Sequence, residues 1–236
     1  MLRKLDHKNM GKSNLGWLRS IFHFSFAEYF NPTNINFGAL RVINDDLIES
    51  MEGFDTHPHQ DMEIISYVID GELTHQDSMG NKRTLSRGEV QYMSAGTGVF
   101  HSEHNFGNKL LRLLQIWVYP DKKGYEPNYG DYRFPWELRK NKWLSIVSGQ
   151  QGNAPIKINQ DANFYVVELE KGNEITFEVN KDRQAYLVQI EGESQINDIN
   201  MNAKDGLEIV EENINIKATE NSSHILVIEM KKAELS

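Results

Sequence analysis

Cysteine is absent from the 236 residues of this chain. No disulfide framework can form, and any bound metal must take nitrogen and oxygen ligands. Long hydrophobic runs are also missing, since no segment approaches the ~20 apolar residues of a membrane-spanning helix. The aromatic stretch "WLRSIFHFSFAEYF" near the start is interrupted by charges and lacks a small-residue cleavage site. We therefore expect no signal peptide and no membrane association, but a soluble, cytoplasmic protein.

Positive charge is scarce. The chain has 25 Lys and Arg against 34 Asp and Glu, a formal net charge of −9. Nucleic-acid binding needs clustered basic residues, so we expect no nucleic-acid partner. Hydrophobic residues make up 39% and aromatics 10%, which is enough to build a core. The length suits one large domain or two of about 100 residues each.

Short segments rich in β-branched and aromatic residues dominate the chain, and Gly, Asn and Asp punctuate them. Sustained helical periodicity is lacking apart from a turn or two near 135–141. Short strands between frequent turns predict an all-β fold. The predicted strands are 37–43, 63–69, 89–95, 110–119, 162–170, 174–179, 185–190 and 224–230.

The two halves of the chain repeat one another in order. "ISYVIDGELTHQD" (65–77) aligns with "AYLVQIEGESQIND" (185–198) around a strand–Gly–strand turn. Later segments, 86–95 and 110–118, find counterparts at 203–212 and 223–230. Repetition in this order indicates an internal duplication into two β-barrels. We place the domains at 1–130 and 131–236, with the boundary inside a connector (120–142) that is rich in proline, glycine and charge.

Two histidines open the segment "DTHPHQDMEIISYVIDG" (55–71). His57 and His59 are two residues apart, so on a strand both imidazoles point to the same face, about 6.6 Å apart. Pro58 between them suits a strand start or a sheet edge, because proline cannot donate to a neighbouring strand. The pair is a candidate start for a metal site.

A second pair with the same spacing, His101 and Glu103, lies in "GTGVFHSEHN" (96–105). On facing strands the two pairs would supply three imidazoles and one carboxylate, which suit Fe, Mn, Co, Ni, Cu or Zn. Glu63 shares the parity of the first pair but would lie about 13 Å from His59 along a straight strand, so we expect it to support the site or the fold. We interpret the other histidines as surface, strand-end or ordinary structural residues: His7, His23, His75, His104 and His224.

These residues resemble the two motifs of the cupin superfamily. Ser94 departs from the pattern, standing where proline is usual, and two extra residues precede His101. The segments "THPHQDMEIISYVIDGELTHQDSMGN", "MSAGTGVFHSEHN" and "LLQIWVYP" are similar to the pirin family, in particular to bacterial pirin-like proteins. The matching motif positions are Gly53, His57, His59, Glu63, Gly71, Gly88, Gly96, His101 and Asn105.

The resemblance implies a bicupin fold with one divalent metal bound by His57, His59, His101 and Glu103. The metal is usually iron, with Zn, Cu, Mn, Co or Ni accepted. Such proteins act as quercetin 2,3-dioxygenases, which open the central ring of a flavonol with O2 and release carbon monoxide. The C-terminal barrel lacks the matching ligand positions and is expected to bind no metal.

In a flavonol, a 3-hydroxyl lies beside a 4-carbonyl, and its proton is lost more easily next to a cation. Glu103 is the candidate catalytic base. The substrate pocket should be mostly apolar to hold a flat aromatic ligand. Its candidate lining residues are Phe22, Phe24, Phe26, Phe37, Met93, Phe100 and Trp117.

Other functions stay open on sequence grounds. The site could serve a redox-sensing, protein-binding regulatory module, as described for eukaryotic pirins, and a net charge of −9 suits a protein partner better than DNA. A different cupin enzyme, such as a sugar-phosphate isomerase, is a second alternative. Lys82, Arg83 and Arg87, its candidate phosphate contacts, fit an exposed hairpin better. A vestigial site in a storage protein is a third. We expect a monomer.

Overall fold

The computed structural model describes residues 1–233, and their regular secondary structure is almost entirely antiparallel β-strand. The predicted all-β fold is confirmed. Two short 3-10 helices, His7–Asn9 and Trp136–Arg139, interrupt the strands, and the second falls on the helical turn predicted near 135–141. The strands are β1 (Leu2–Leu5), β2 (Gly11–Asn14), β3 (Leu18–Phe22), β4 (Leu40–Ile48), β5 (Gly53–His59), β6 (Glu63–Asp70), β7 (Leu73–Asp77), β8 (Lys82–Leu85), β9 (Val90–Ser94), β10 (Val99–His104), β11 (Leu111–Val118), β12 (Asn128–Tyr132), β13 (Leu144–Gly149), β14 (Ile156–Ile158), β15 (Ala162–Glu170), β16 (Glu174–Phe177), β17 (Arg183–Glu191), β18 (Ser194–Ile196), β19 (Ile199–Met201), β20 (Gly206–Val210), β21 (Ile214–Ala218) and β22 (Ser222–Lys231).

The strands divide between two compact units. The N-terminal unit comprises Gly11–Phe134 and Ile158–Gln160, and the C-terminal unit comprises Met1–Met10, Pro135–Lys157 and the chain from Asp161 onward. The first ten residues thus belong to the C-terminal unit, where β1 pairs with β20. A division into folding domains at 130/131 stays a prediction.

The N-terminal unit contains a seven-stranded and a four-stranded sheet. The large sheet has the order β12-β9-β6-β11-β4-β3-β2, and the small sheet has the order β5-β10-β7-β8. Apolar side chains on the inner faces, such as Ile48, Val68, Leu73 and Leu113, form a buried core cluster between these strands. The small sheet carries both predicted ligand pairs, on its neighbouring strands β5 and β10.

The C-terminal unit repeats this topology. Its large sheet has the order β1-β20-β17-β22-β15-β13-β14, and its small sheet the order β16-β21-β18-β19. The central strands β9-β6-β11-β4 therefore correspond to β20-β17-β22-β15, and the segments aligned in the sequence fall on corresponding strands. The predicted internal duplication is confirmed at the level of topology. The counterparts of β5 and β10 read "EITF" and "INIKA", without histidine.

Equivalent glycines lie in the turn at which the chain passes from the large sheet to the small sheet of each unit, between β6 and β7 and between β17 and β18. Gly71 has φ +81° and Gly192 has φ +70°, values that favour glycine because it has no Cβ. A Cβ at Gly71 would also meet the backbone of Leu110, and one at Gly192 would meet the backbone of Ser222. The turn predicted from Asp70-Gly71 and repeated at Glu191-Gly192 therefore needs glycine in both units.

Among residues 1–233, no helix is long and apolar enough to span a membrane.

Candidate metal centre

Neighbouring antiparallel strands bring three histidines together. His57 lies directly opposite His101, and His59 lies opposite Val99, in the pairing of β5 with β10. The ring centroids are 4.9 Å apart for His57 and His59, 4.5 Å for His57 and His101, and 5.0 Å for His59 and His101. One nitrogen from each ring lies within 4.8 Å of the other two. The prediction that the histidines of the two segments converge is confirmed.

The hydrogen bonds of His57 determine which of its nitrogens faces the cluster. Its Nδ1 lies 2.7 Å from the carbonyl oxygen of Asp55, and a carbonyl can only accept, so Nδ1 carries the proton. Its Nε2 then holds a lone pair and lies 3.0 Å from Nε2 of His101. A backbone carbonyl behind one nitrogen, with the other directed at a shared point, is the usual arrangement of a metal-binding imidazole.

The pKa values also favour neutral imidazoles. Burial, followed by the charges of His101 and His57, lowers the pKa of His59 to about 4. Burial, followed by the charges of His57 and His75, lowers the pKa of His101 to about 3. Nδ1 of His101 is buried without a hydrogen-bond partner. Because metals bind deprotonated ring nitrogens, the lowered pKa values of His59 and His101 fit a site for a divalent cation.

Glu103 lies two residues after His101 on β10, and its buried carboxylate is hydrogen-bonded to side chains of the large sheet. Its Oε1 accepts hydrogen bonds from Ser66 Oγ at 2.9 Å and Gln91 Nε2 at 2.6 Å, and its Oε2 accepts from Gln115 Nε2. Its carboxylate falls in a second group with His101 and His75, again within 4.8 Å of one another. Glu103 is therefore adjacent to the three histidines through His101, and its membership of one four-ligand set stays a prediction.

The interpretation of His75 as a surface or strand-end residue is wrong. The side chain is fully buried on β7, where His75 pairs with Glu103 of β10. Its Nε2 lies 3.0 Å from Asp77 Oδ2, and its ring stacks on Tyr129 with the centroids 4.8 Å apart. The missed signal was its spacing from Asp77, because the two residues share the i, i+2 parity used to pair His57 with His59.

Glu63 belongs to a separate buried network. Its carboxylate accepts hydrogen bonds from Tyr92 Oη at 2.7 Å, from Ser94 Oγ at 2.7 Å and from the backbone nitrogen of Asn159 at 2.9 Å. Within residues 1–233 it is not part of any cluster of metal-binding geometry. The network ties β6 and β9 to the short segment 158–160 of the same unit, which is a structural role.

A cavity of about 330 Å³ opens beside the histidines. His57, His59, His101 and Glu103 all line it, so the two predicted pairs face one space. Apolar and aromatic side chains form most of the remaining wall, as predicted for a pocket that takes a flat aromatic ligand. They are Leu15, Leu18, Phe22, Phe26, Ala27, Phe54 and Trp117.

The prediction of the lining residues was right for Phe22, Phe26 and Trp117 and wrong for the other four. Phe100 follows the pleat of β10, so it points away from His101 and is 55% exposed. Met93 packs in a different core cluster with Ile64 and Val99. In the described part of the chain, the cavity lining also excludes Phe24 and Phe37.

Comparison with known proteins gives the family. The Pirin family model matches residues 4–118, and the model described as "Quercetinase C-terminal cupin domain" matches residues 145–230. The quercetin 2,3-dioxygenase of Escherichia coli (strain K12) is 41% identical over 227 residues, covering 95% of this chain and 96% of that protein. The chain belongs to the pirin family. A pirin-like protein of Caulobacter vibrioides is 42% identical over 229 residues, covering 96% of this chain and 99% of that one.

Solved structures of pirins share this fold. The crystal structure of YhhW from Escherichia coli superposes with a TM-score of 0.93 at 38% sequence identity, covering 100% of both chains. The same bacterial pirin in complex with nickel(II) gives a TM-score of 0.92 at 38% identity, covering 99% of this chain and 100% of that one. This pirin-family protein therefore consists of N- and C-terminal cupin domains, and its histidine cluster is compatible with a divalent metal.

Proposed function

We propose that the protein is a metal-dependent dioxygenase that cleaves the central ring of flavonols such as quercetin with O2 and releases carbon monoxide. The observation that carries the proposal is the convergence of three imidazoles on one side of a mostly apolar cavity, with a buried carboxylate alongside. Quercetin 2,3-dioxygenases among the relatives support the same chemistry.

The residues proposed to hold the metal are His57, His59, His101 and Glu103. The three nitrogens and one oxygen suit Fe(II), our first choice, and also Zn, Cu, Mn, Co or Ni. A cation at this position would supply Lewis acidity, which favours the ionised form of a flavonol 3-hydroxyl. The apolar wall, including Phe22 and Phe26, would exclude water from the aromatic rings and orient them.

Glu103 is proposed as the base that takes the hydroxyl proton. Its environment can accommodate that proton through the Ser66 hydroxyl, which lies 2.9 Å from Glu103 Oε1 and 3.0 Å from Gln115 Oε1. When Glu103 is ionised, the hydroxyl donates to its carboxylate. When Glu103 carries the proton on Oε1, it donates to Ser66 Oγ, and the Ser66 hydroxyl turns to donate to Gln115. Ser66 and Glu103 therefore stay hydrogen-bonded to each other in both states.

The experiment uses protein purified without oxygen and loaded with iron. Quercetin and O2 are then added, and oxygen uptake, carbon monoxide and bound iron are measured on the same sample. We expect one carbon monoxide per O2 consumed. A chelator-stripped sample and a His101→Ala variant should be inactive. Loaded protein that binds iron but forms no carbon monoxide would contradict the proposal and favour the regulatory, redox-sensing alternative.

A further inference from the structure

Three polar side chains on two neighbouring strands form a strip in the lining of the cavity. Ser20 of β3 lies opposite Asp46 of β4, and Asn44 lies two residues from Asp46 on the same face of β4. All three line the cavity. We call Ser20, Asn44 and Asp46 the polar strip. It is separate from the histidines, which come from the small sheet.

Asp45 and Asp46 are adjacent carboxylates with different surroundings. Asp45 points to the other face of β4 and accepts hydrogen bonds from Arg112 Nε at 2.9 Å and Nη2 at 2.6 Å. Asp46 has no ion pair with any residue of 1–233. Its carboxyl accepts a hydrogen bond from Ser20. Burying a carboxyl without a partner cation costs free energy, so an ion pair does not explain why Asp46 lies in the cavity wall.

Two oxygens of the polar strip are buried without hydrogen-bond partners, Oδ1 of Asp46 and Oδ1 of Asn44. The two residues are only 3% and 4% exposed. Burial raises the pKa of Asp46 to about 7, and the charges of Asp45 and Glu103 act in the same direction. Buried acceptors without partners cost stability, so a ligand that donates hydrogen bonds to them gains affinity.

We propose that the polar strip binds a ring hydroxyl of the substrate, with Asn44 and Asp46 as its hydrogen-bond partners. The inference rests on the proposed function and narrows the substrate class. The substrate is then a flat phenol that has a second hydroxyl besides the one placed at the histidines. A cavity of about 330 Å³ lies within the range of roughly 300–1,000 Å³ that small-molecule pockets show.

The test compares two probes that differ in their hydroxyl groups. Quercetin carries ring hydroxyls in addition to its 3-hydroxyl, and 3-hydroxyflavone carries none. Binding to metal-loaded protein is measured without oxygen, so that no turnover occurs. We expect the wild type to bind quercetin about 10-fold more tightly than 3-hydroxyflavone, as suits one or two buried hydrogen bonds.

Variants of the polar strip should remove this preference. Asp46→Ala should weaken quercetin binding about 10-fold and leave the dissociation constant of 3-hydroxyflavone within 2-fold of wild type. Asp46→Asn keeps the shape and one acceptor oxygen, so its loss should be smaller. Asp45→Asn is the matched control, because it makes the same change on the opposite face of β4, and it should keep the wild-type preference.

Several outcomes would overturn the inference. The inference is overturned if the wild-type protein binds quercetin and 3-hydroxyflavone equally well. This measurement does not depend on whether any variant folds. An equal loss for both probes in Asp46→Ala would indicate a structural effect, and an unchanged preference would exclude contact with the hydroxyl. If the preference depends on Asp46 but no carbon monoxide forms in air, the proposed catalysis fails and the polar strip stands. If carbon monoxide forms but Asp46→Ala keeps the preference for quercetin, the polar-strip inference fails and the proposed catalysis stands.

Discussion

Replacing Asp46 by Asn should change how the stability of the protein depends on pH. The pKa of this carboxyl rises from its ordinary value of 3.8 to about 7 in the folded chain, mainly because it is buried. Between these two pH values the folded state holds a proton that the unfolded state has released, so stability falls as pH rises towards 7 and is constant above it. Asp46→Asn removes this dependence.

The magnitude follows from the distance between pH 5 and the folded pKa of about 7. Two pH units at about 1.4 kcal/mol each give about 3 kcal/mol. The free energy of unfolding of Asp46→Asn minus that of wild type should therefore rise by up to about 3 kcal/mol between pH 5 and pH 8. The contributions of titrating groups that both proteins share largely cancel in this difference between free energies of unfolding.

Urea unfolding followed by tryptophan fluorescence and circular dichroism would measure the effect. The samples should contain a chelator, because a nearby cation would favour the ionised carboxylate. Asp198→Asn is the control, since it makes the same substitution at an exposed residue and should stay within about 0.5 kcal/mol of wild type at both pH values. A difference between Asp46→Asn and wild type that is the same at pH 5 and pH 8 would refute the reasoning.

Three further predictions concern the metal centre, the proton path and a turn. His101→Ala should lose its bound metal, as measured by inductively coupled plasma mass spectrometry. Phe100→Ala, which changes an exposed side chain on the opposite face of β10, should keep full metal occupancy. Ser66→Ala should lower kcat for quercetin about 10-fold with KM nearly unchanged, because the hydroxyl joins Glu103 to Gln115; an unchanged kcat would exclude this path. Gly96→Ala should cost at least about 2 kcal/mol in urea unfolding, since φ is +44° and a Cβ would meet the Tyr125 carbonyl. Gly80→Ala, with φ +92° and open space, should cost about 1 kcal/mol.

Most of the fold could be predicted from the sequence because its strands carry local signals. The segment 162–170 became β15 with the same ends, and 63–69 became β6, Glu63–Asp70. Both are rich in β-branched and aromatic residues and are bounded by turns. The pairing of β1 with β20 was missed, because its partner lies about 200 residues away and nothing local in Leu2–Leu5 specifies it.

The residues of the candidate site could be predicted where the alternation of side chains along a strand determines which face they lie on. The i, i+2 spacing placed His57 and His59 on one face, and the pairing of β5 with β10 then brought His101 to them. The sequence did not indicate Asp46, whose position depends on which strand of a sheet lies beside which, and the spacing of His75 from Asp77 was a signal that was not used. Phe22 was predicted to line the cavity only because it is aromatic, and the prediction for Phe100 failed because its parity relative to His101 was not applied.

The most direct test of the metal centre is anomalous X-ray diffraction from crystals of the metal-loaded protein. The structure offers two clusters that share His101: one with His57 and His59, and one with His75 and Glu103. We predict a single anomalous peak bonded to His57, His59, His101 and Glu103. A peak held by His75 without His57 and His59, or the absence of any peak in protein that contains stoichiometric metal, would contradict the account.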